Sequence, residues 1–279
     1  MCEFKSGIIL KNKCYIVNHN SHSDMLKELN IKDDYLNATK TFVRAELIPR
    51  NYDWWTDIDS WEFIVDQDVV PEWFEIDKQK YEADFRHAVS EWCKIHILVD
   101  KEIDELKDGY FILKNCKVGK LLKDVVIDVC KDSLIASMHD ESIIKNLCGK
   151  SKVNEMFDES QIKNVFDESK VCEMHNNSKI GNMQGHSQVM YMYDQSKISR
   201  LIAFSQVELM SNNSQITEMY DRSTVLSMCG NSKIDTMCDN SLIIAMYDDS
   251  KVVKMHGNAI ARNYRKGKIF ISPESKLNC

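Results

Sequence analysis

The chain has 279 residues, a formal net charge of -7 at pH 7 and 43% hydrophobic residues, enough for one or two domains with a buried core. The opening Met1-Cys2-Glu3-Phe4-Lys5-Ser6 carries no long apolar run, so neither a signal peptide nor a transmembrane helix is expected. Ten scattered cysteines without a Cys-x-x-Cys pair argue against a zinc site of that kind and for reduced thiols in a cytoplasmic protein.

Residues 1–114 read as a small acidic α+β domain. Residues 8–10 and 14–17 form a predicted strand pair around Lys11-Asn12-Lys13. Ser21-His22-Ser23-Asp24 has capping-box spacing before a short helix at 25–29. Residues 42–48 alternate as a strand does, and 77–99 is predicted as a helix with Tyr81, Phe85, Ala88, Val89, Trp92 and Ile95 on one stripe. Asp108-Gly109 reads as a turn, after which 110–113 lead into the next domain. Between residues 50 and 108 lie 17 acidic and seven basic residues, and all five tryptophans fall there. Such a stretch offers an acidic, aromatic docking surface for a basic partner, or simply a small domain with a tryptophan core. Trp54 and Trp55 are the sharper docking candidates, because neighbours on a strand cannot both face one core.

From Ser133 a serine returns every nine residues without interruption to Ser250. Two positions after each serine stands Ile or Val; three further on the residue is mostly Met, and 11 of the chain's 14 methionines occupy that column. Nine residues cannot bury a core alone, so the units must stack as a solenoid. Serine and the aliphatic share a strand face, while the methionine breaks that parity and requires a bend. Asp, Asn or Gly two positions after the methionine tolerates left-handed backbone at the corner. From Val153 to Ile234 the aliphatic column alternates Val and Ile, favouring 18 residues per coil. The alternation fails outside that window, so three units per coil stays open. The expectation is a mainly β chain: a parallel β-solenoid over 115–267, preceded by the α+β domain, with 268–279 as a cap against edge pairing. Buried serine hydroxyls are expected to bond along the stack or to corner amides.

The residue after each methionine position includes His139, Phe157, His175, Tyr193 and Tyr247 in one phase of the repeat, and Phe166, Tyr220 and His256 in the other. At 18-residue spacing these make ladders along opposite edges, able to stack on sugars or bases or to dock a flat protein face, or else to shield the corners. His19 and His22 have His-x-x-His spacing with Asp24 close by but lack a third convincing ligand, and no nucleophile elbow, P-loop or dinucleotide-binding turn occurs; neither a cofactor nor a metal is expected. The corners also lack the Gly-Gly of calcium-binding nonapeptide rolls.

The repeat loosely resembles the pentapeptide-repeat solenoids, departing from them in unit length and in its methionine column. Residues 59–68, Pro71-Glu72-Trp73-Phe74 and 85–89 look like uncharacterised bacteriophage and gut-bacterial proteins. That likeness implies a phage-type protein of the host cytoplasm. Some pentapeptide-repeat proteins mimic DNA, but with 19 acidic and 16 basic residues over 124–267 this repeat is nearly balanced, so direct carry-over of that role is not expected. The expected role is a non-enzymatic, protein-binding solenoid, plausible as an inhibitor of a host defence or nucleic-acid-acting protein, with no direct nucleic-acid or membrane contact. A structural or receptor-binding virion component, in which homo-oligomers form, is the alternative; an enzyme with a site around His19, His22 and Asp24 is a third.

Overall fold

The structure, a computed structural model, describes residues 4–50, 53–265 and 268–269, and the chain divides into two compact units, 1–97 and 98–279. The first unit holds an antiparallel sheet, β2-β1-β3-β4, made of β1 (Lys5–Leu10), β2 (Lys13–Tyr15), β3 (Phe42–Ile48) and β4 (Glu62–Val65). Ile8 and Phe42, paired-strand residues of one face, pack with Met25 and Leu26 of α1 (His22–Glu28). The Ser21 hydroxyl caps that helix, accepting from the Asp24 amide at 3.3 Å. Two short helices, α2 (Tyr35–Ala38) and α3 (Glu72–Ile76), precede α4 (Lys78–His96), which buries Tyr81, Phe85, Val89 and Trp92. A Cβ on Gly7 would lie 2.7 Å from the Phe85 ring, so only glycine lets the sheet come this close to α4.

The expected stripe ends early: Ile95 is 64% exposed, and the chain leaves the helix after His96 to continue as β5 (Ile97–Val99). Its β-branched residues favour extended backbone. Lys5 is buried on the opposite strand parity, its ammonium bonded to the Val17 and His19 carbonyls and to Asn20 Oδ1, over the Trp92 ring. Such a charge is tolerable only with acceptors of this kind around it.

Coiling starts before the repeat is readable. β6 (Glu102–Lys114) pairs in parallel with β7 (Lys117–Lys131) from Glu102↔Lys117 to Lys114↔Lys131, so 102–114 belong to the stack although the sequence places them in the first domain. Asp108-Gly109 lies inside β6, at a register irregularity where Gly109 has φ 105°, and makes a bulge where a turn is expected. From Leu134 to Met255 each strand pairs in parallel with the strand 18 residues on, for example Val153↔Val171 and Ile162↔Ile180, which excludes three units per coil. About nine turns result. Two walls follow: a first with strands Leu134–Met138, Lys152–Met156, Lys170–Met174, Gln188–Met192, Gln206–Met210, Thr224–Met228 and Leu242–Tyr247, and a second with the strands between them. Their aliphatic and methionine columns are buried, with only Met255 partly so, and make one continuous core. Lys268–Ile269 pairs in parallel with Lys251–Val252 and extends the stack; the rest of the expected cap, 270–279, lies outside the described residues.

The corners show why Asp and Asn outnumber Gly. Asp140, Asp158, Asn176 and Asp194 have φ between 53° and 57°, and the side chains of Asp158, Asn176 and Asp194 also accept from the amide of the same column one coil earlier: Asp140 N–H donates to Asp158 Oδ2 at 3.1 Å, Asp158 N–H to Asn176 Oδ1 at 3.1 Å, Asn176 N–H to Asp194 Oδ2 at 3.0 Å. Ala203, with φ 61°, departs from the column's residue types, and its amide donates to Asp221 Oδ2 at 3.0 Å.

The serines meet the expectation at some coils and depart from it at others. Ser133 Oγ accepts from the Cys116 amide at 2.9 Å, and Ser151 Oγ accepts from the Ser133 amide at 3.1 Å and donates to the Cys130 carbonyl at 2.9 Å, all along the stack. Ser205, Ser241 and Ser250 donate to the carbonyl three residues back at 2.6, 2.7 and 2.6 Å, but the buried hydroxyls of Ser142, Ser160, Ser178, Ser187, Ser196, Ser214, Ser223 and Ser232 have no hydrogen-bond partner. Smallness at a tight interior corner, more than hydrogen bonding, is what the column selects. Ser178→Ala is therefore expected to leave stability unchanged or raise it by up to about 1–3 kcal/mol, whereas Ser241→Ala loses about 1 kcal/mol. Urea midpoints of the full chain check this; greater destabilisation at Ser178 would mean that its hydroxyl bonds along the stack as that of Ser151 does.

Thiol chemistry follows burial. Burial, with Asp84 adding to it, pushes the Cys14 thiol up to about 11, and burial pushes Cys93 and Cys130 up to about 12. In the native chain at pH 8 these three should stay unmodified by an aromatic disulfide reagent while the denatured chain reacts fully; mass mapping that finds them labelled early would contradict it. Cys238 is disulfide-bonded, so the expectation of ten reduced thiols fails at that position. Among the described residues no helix is long and apolar enough to cross a membrane.

Candidate functional site

The solenoid assembles part of the expected aromatic ladders. On the edge of the first wall His139, Phe157, His175 and Tyr193 stack one per coil, with centroid separations of 5.2, 5.0 and 5.2 Å and interplanar angles of 16°, 13° and 22°. The coil rise of about 4.8 Å sets that spacing, since identical columns of successive coils are held at hydrogen-bonding distance. All four rings are half-buried. His175 Nε2 sits 3.0 Å from Glu173 Oε2, and His139 Nε2 3.0 Å or closer to a hydroxyl, at 2.9 Å from Ser137 Oγ. Partial burial, then Glu173 and Tyr191, raise the Tyr193 phenol above its ordinary range.

Tyr247 shares the column but stands three coils beyond Tyr193, with Ser211 and Cys229 between them. On the other edge Phe166 and Tyr220 are three coils apart, and Tyr220 and His256 two, with Gln184, Ile202 and Cys238 intervening. Separations of roughly 14 and 10 Å exceed ring-contact range, so no second ladder forms there. Burial and a hydrogen bond to Glu218 raise the Tyr220 phenol.

Two features escaped sequence reasoning. His186 and Phe204 stack at 5.3 Å, and the Arg222 guanidinium lies 5.8 Å over the Phe204 ring, one coil further. These belong to the ninth column, where the same 18-residue count would have found them. The outer surface of the first wall also turns apolar from its fourth strand onward, where Met190, Tyr191, Leu209, Leu226, Leu242 and Ile244 are half-buried and Tyr191 stacks at 6.0 Å on Tyr193. Charge separates by wall as well. The second wall's seven strands carry eight basic and two acidic residues, the first wall's seven two basic and three acidic. The balanced total over the repeat thus conceals a basic wall.

In the first unit the tryptophans divide. Trp54 is 8% exposed, edge-on to Trp61 at 5.6 Å and tilted against Trp92 at 6.3 Å. It is a core residue, and its place as a docking anchor is withdrawn. Trp55 is half-buried, its amide donating to Asp53 Oδ1 at 3.2 Å. The pair sits in a turn, not a strand, and it is the turn that sends the two rings different ways. His19, His22 and Asp24 do not converge: His19 Nε2 meets Glu28 at 3.0 Å, Asp24 pairs with Lys27 at 2.8 Å, and His22 turns to Asp66. Compared with protein-family models, with curated proteins and with solved structures, the chain finds no match.

Proposed function

We propose that the chain is a non-catalytic, protein-binding solenoid whose first wall docks a partner protein. The observation that carries this reading is the unbroken stack His139–Phe157–His175–Tyr193 continuing into an apolar outer surface at Met190, Tyr191 and Leu209. Rigid, pre-stacked rings lose little conformational entropy on association, and apolar surface beside them supplies the driving force. The loose likeness of the first domain to phage proteins supports a host protein as the partner, in the host cytoplasm, with a defence or nucleic-acid-acting protein as the target class. The surplus of acidic residues over 50–108 supports a basic partner. Tagged full-length chain is used to capture proteins from bacterial lysate, alongside the double variant Phe157→Ala/Tyr193→Ala. A stoichiometric protein held by the parent and released by the variant supports the proposal. Equal retention by both places docking elsewhere, and a partnerless chain that elutes as a stable trimer moves the reading to a virion component.

A further inference from the structure

His22, Glu46 and Asp66 are far apart in sequence, yet one donor atom of each lies within 4.8 Å of the others. The sheet of the first unit, the head, brings them together. Ser6 faces Glu46 across the β1–β3 ladder and Glu46 faces Ile64 across β3–β4, so by the period-two rule Asp66, just past β4, emerges on the same face. Helix α1 packs on that face through Met25 and Leu26, which places its first residue, His22, over the end of the sheet at 9% exposure.

The hydrogen bonding of that ring is informative. Nε2 lies 3.3 Å from the Ala45 carbonyl oxygen, which can only accept, so Nε2 carries the hydrogen. In the neutral ring the lone pair is then on Nδ1, and Nδ1 points at Asp66 Oδ2 from 3.1 Å, with the Glu46 carboxylate beside them. Three acceptor groups thus converge at one point. Burial, the largest influence, and the nearby Arg44 both favour the neutral ring, against the pull of the Ala45 carbonyl and Asp66. Burial, followed by Asp66, raises the Glu46 carboxyl, as crowding of like charge requires. The Ser6 hydroxyl, fully buried and directly across the ladder from Glu46 on the same face, has no hydrogen-bond partner.

We propose that His22 Nδ1 and the Glu46 and Asp66 carboxylates bind one divalent transition-metal ion. One imidazole nitrogen with two carboxylates suits the zinc-like borderline ions better than calcium or magnesium, which take oxygen alone. A histidine ligand whose other nitrogen donates to a main-chain carbonyl is the usual outer-sphere arrangement, fixing the tautomer and the ring plane. The site lies within the head and is independent of the docking proposal for the solenoid.

The probe is Co2+, titrated into full-length chain stripped with a chelator and followed by its visible d–d absorption and by equilibrium dialysis. One equivalent should bind, at least about tenfold more weakly in Asp66→Asn and in Glu46→Gln, and unchanged in His19→Asn. Asp66 has a 58% exposed side chain, so its amide variant is expected to fold, and circular dichroism verifies that. Absence of saturable binding, equal affinity in the folded Asp66→Asn chain, or a thiolate-to-cobalt charge-transfer band, which would put the ion on cysteine, each overturns the proposal.

Discussion

Replacing Met192 by alanine is expected to lower the unfolding free energy of the solenoid by about 2–5 kcal/mol, and replacing it by lysine to prevent stacking of the coils around it. Met192 is fully buried between Met174 and Met210, its in-register neighbours one coil before and one coil after. Truncation leaves a cavity that neither neighbour can fill, because both are fixed by their own strand pairing. A charge there has no partner within the aliphatic and methionine core. Met192→Leu, by contrast, should cost less than about 1.5 kcal/mol, because the column already accepts Leu147 and Leu201. Each coil contacts only its neighbours, so the loss should be local first. Hydrogen exchange in the Met192→Ala chain should accelerate over 170–214 before it does near Ile144. Uniform acceleration along the whole stack would show instead that the solenoid unfolds as one cooperative block.

Why the coil was readable and much of the head was not is a matter of how many independent residues report one feature. The 18-residue coil is announced many times over by serine, aliphatic and methionine columns, so an exception such as Ala203 or Val165 cannot obscure it. The fate of the serine hydroxyls was not readable, because burial of a small polar residue looks the same whether or not it finds an acceptor. In the head each decision rests on one or two residues. Trp54 and Trp55 look alike in sequence, and a local turn, invisible to period-two reasoning, decides which is buried. Gly109 reads as a turn because glycine serves turns and bulges equally. The aromatic ladder was legible where the column is filled coil after coil, from His139 to Tyr193, and misleading where gaps of two or three coils separate Phe166, Tyr220 and His256. The grouping of His22 with Asp66 depends on strand order over 44 residues, for which no local spacing exists.

Phe157→Ala is expected to weaken partner binding by about 2 kcal/mol or more, roughly 30-fold, the range of a central aromatic hot spot. Phe157 is one of the two inner rings of the ladder, contacting His139 at 5.2 Å and His175 at 5.0 Å, so its loss removes its own contact area and also the support that holds two neighbouring rings parallel. Tyr193→Ala should cost less if docking is centred on the ladder, since that ring ends the stack and meets only His175 and Tyr191. Phe166→Ala, on the opposite edge, serves as the control: equally half-buried, but three coils from the next ring of its column. Affinities measured by calorimetry with the captured partner separate these cases, while thermal unfolding confirms that all three variants keep the coil. Because the fully buried interior next to Phe157 is Met156, the side chain being deleted lies outside the core, and its removal should shift stability far less than Met192→Ala does. Equal losses of affinity at Phe157 and Phe166 would sink the assignment of docking to the first wall, because the two residues share a column type but lie on opposite edges, and only Phe157 belongs to a completed stack.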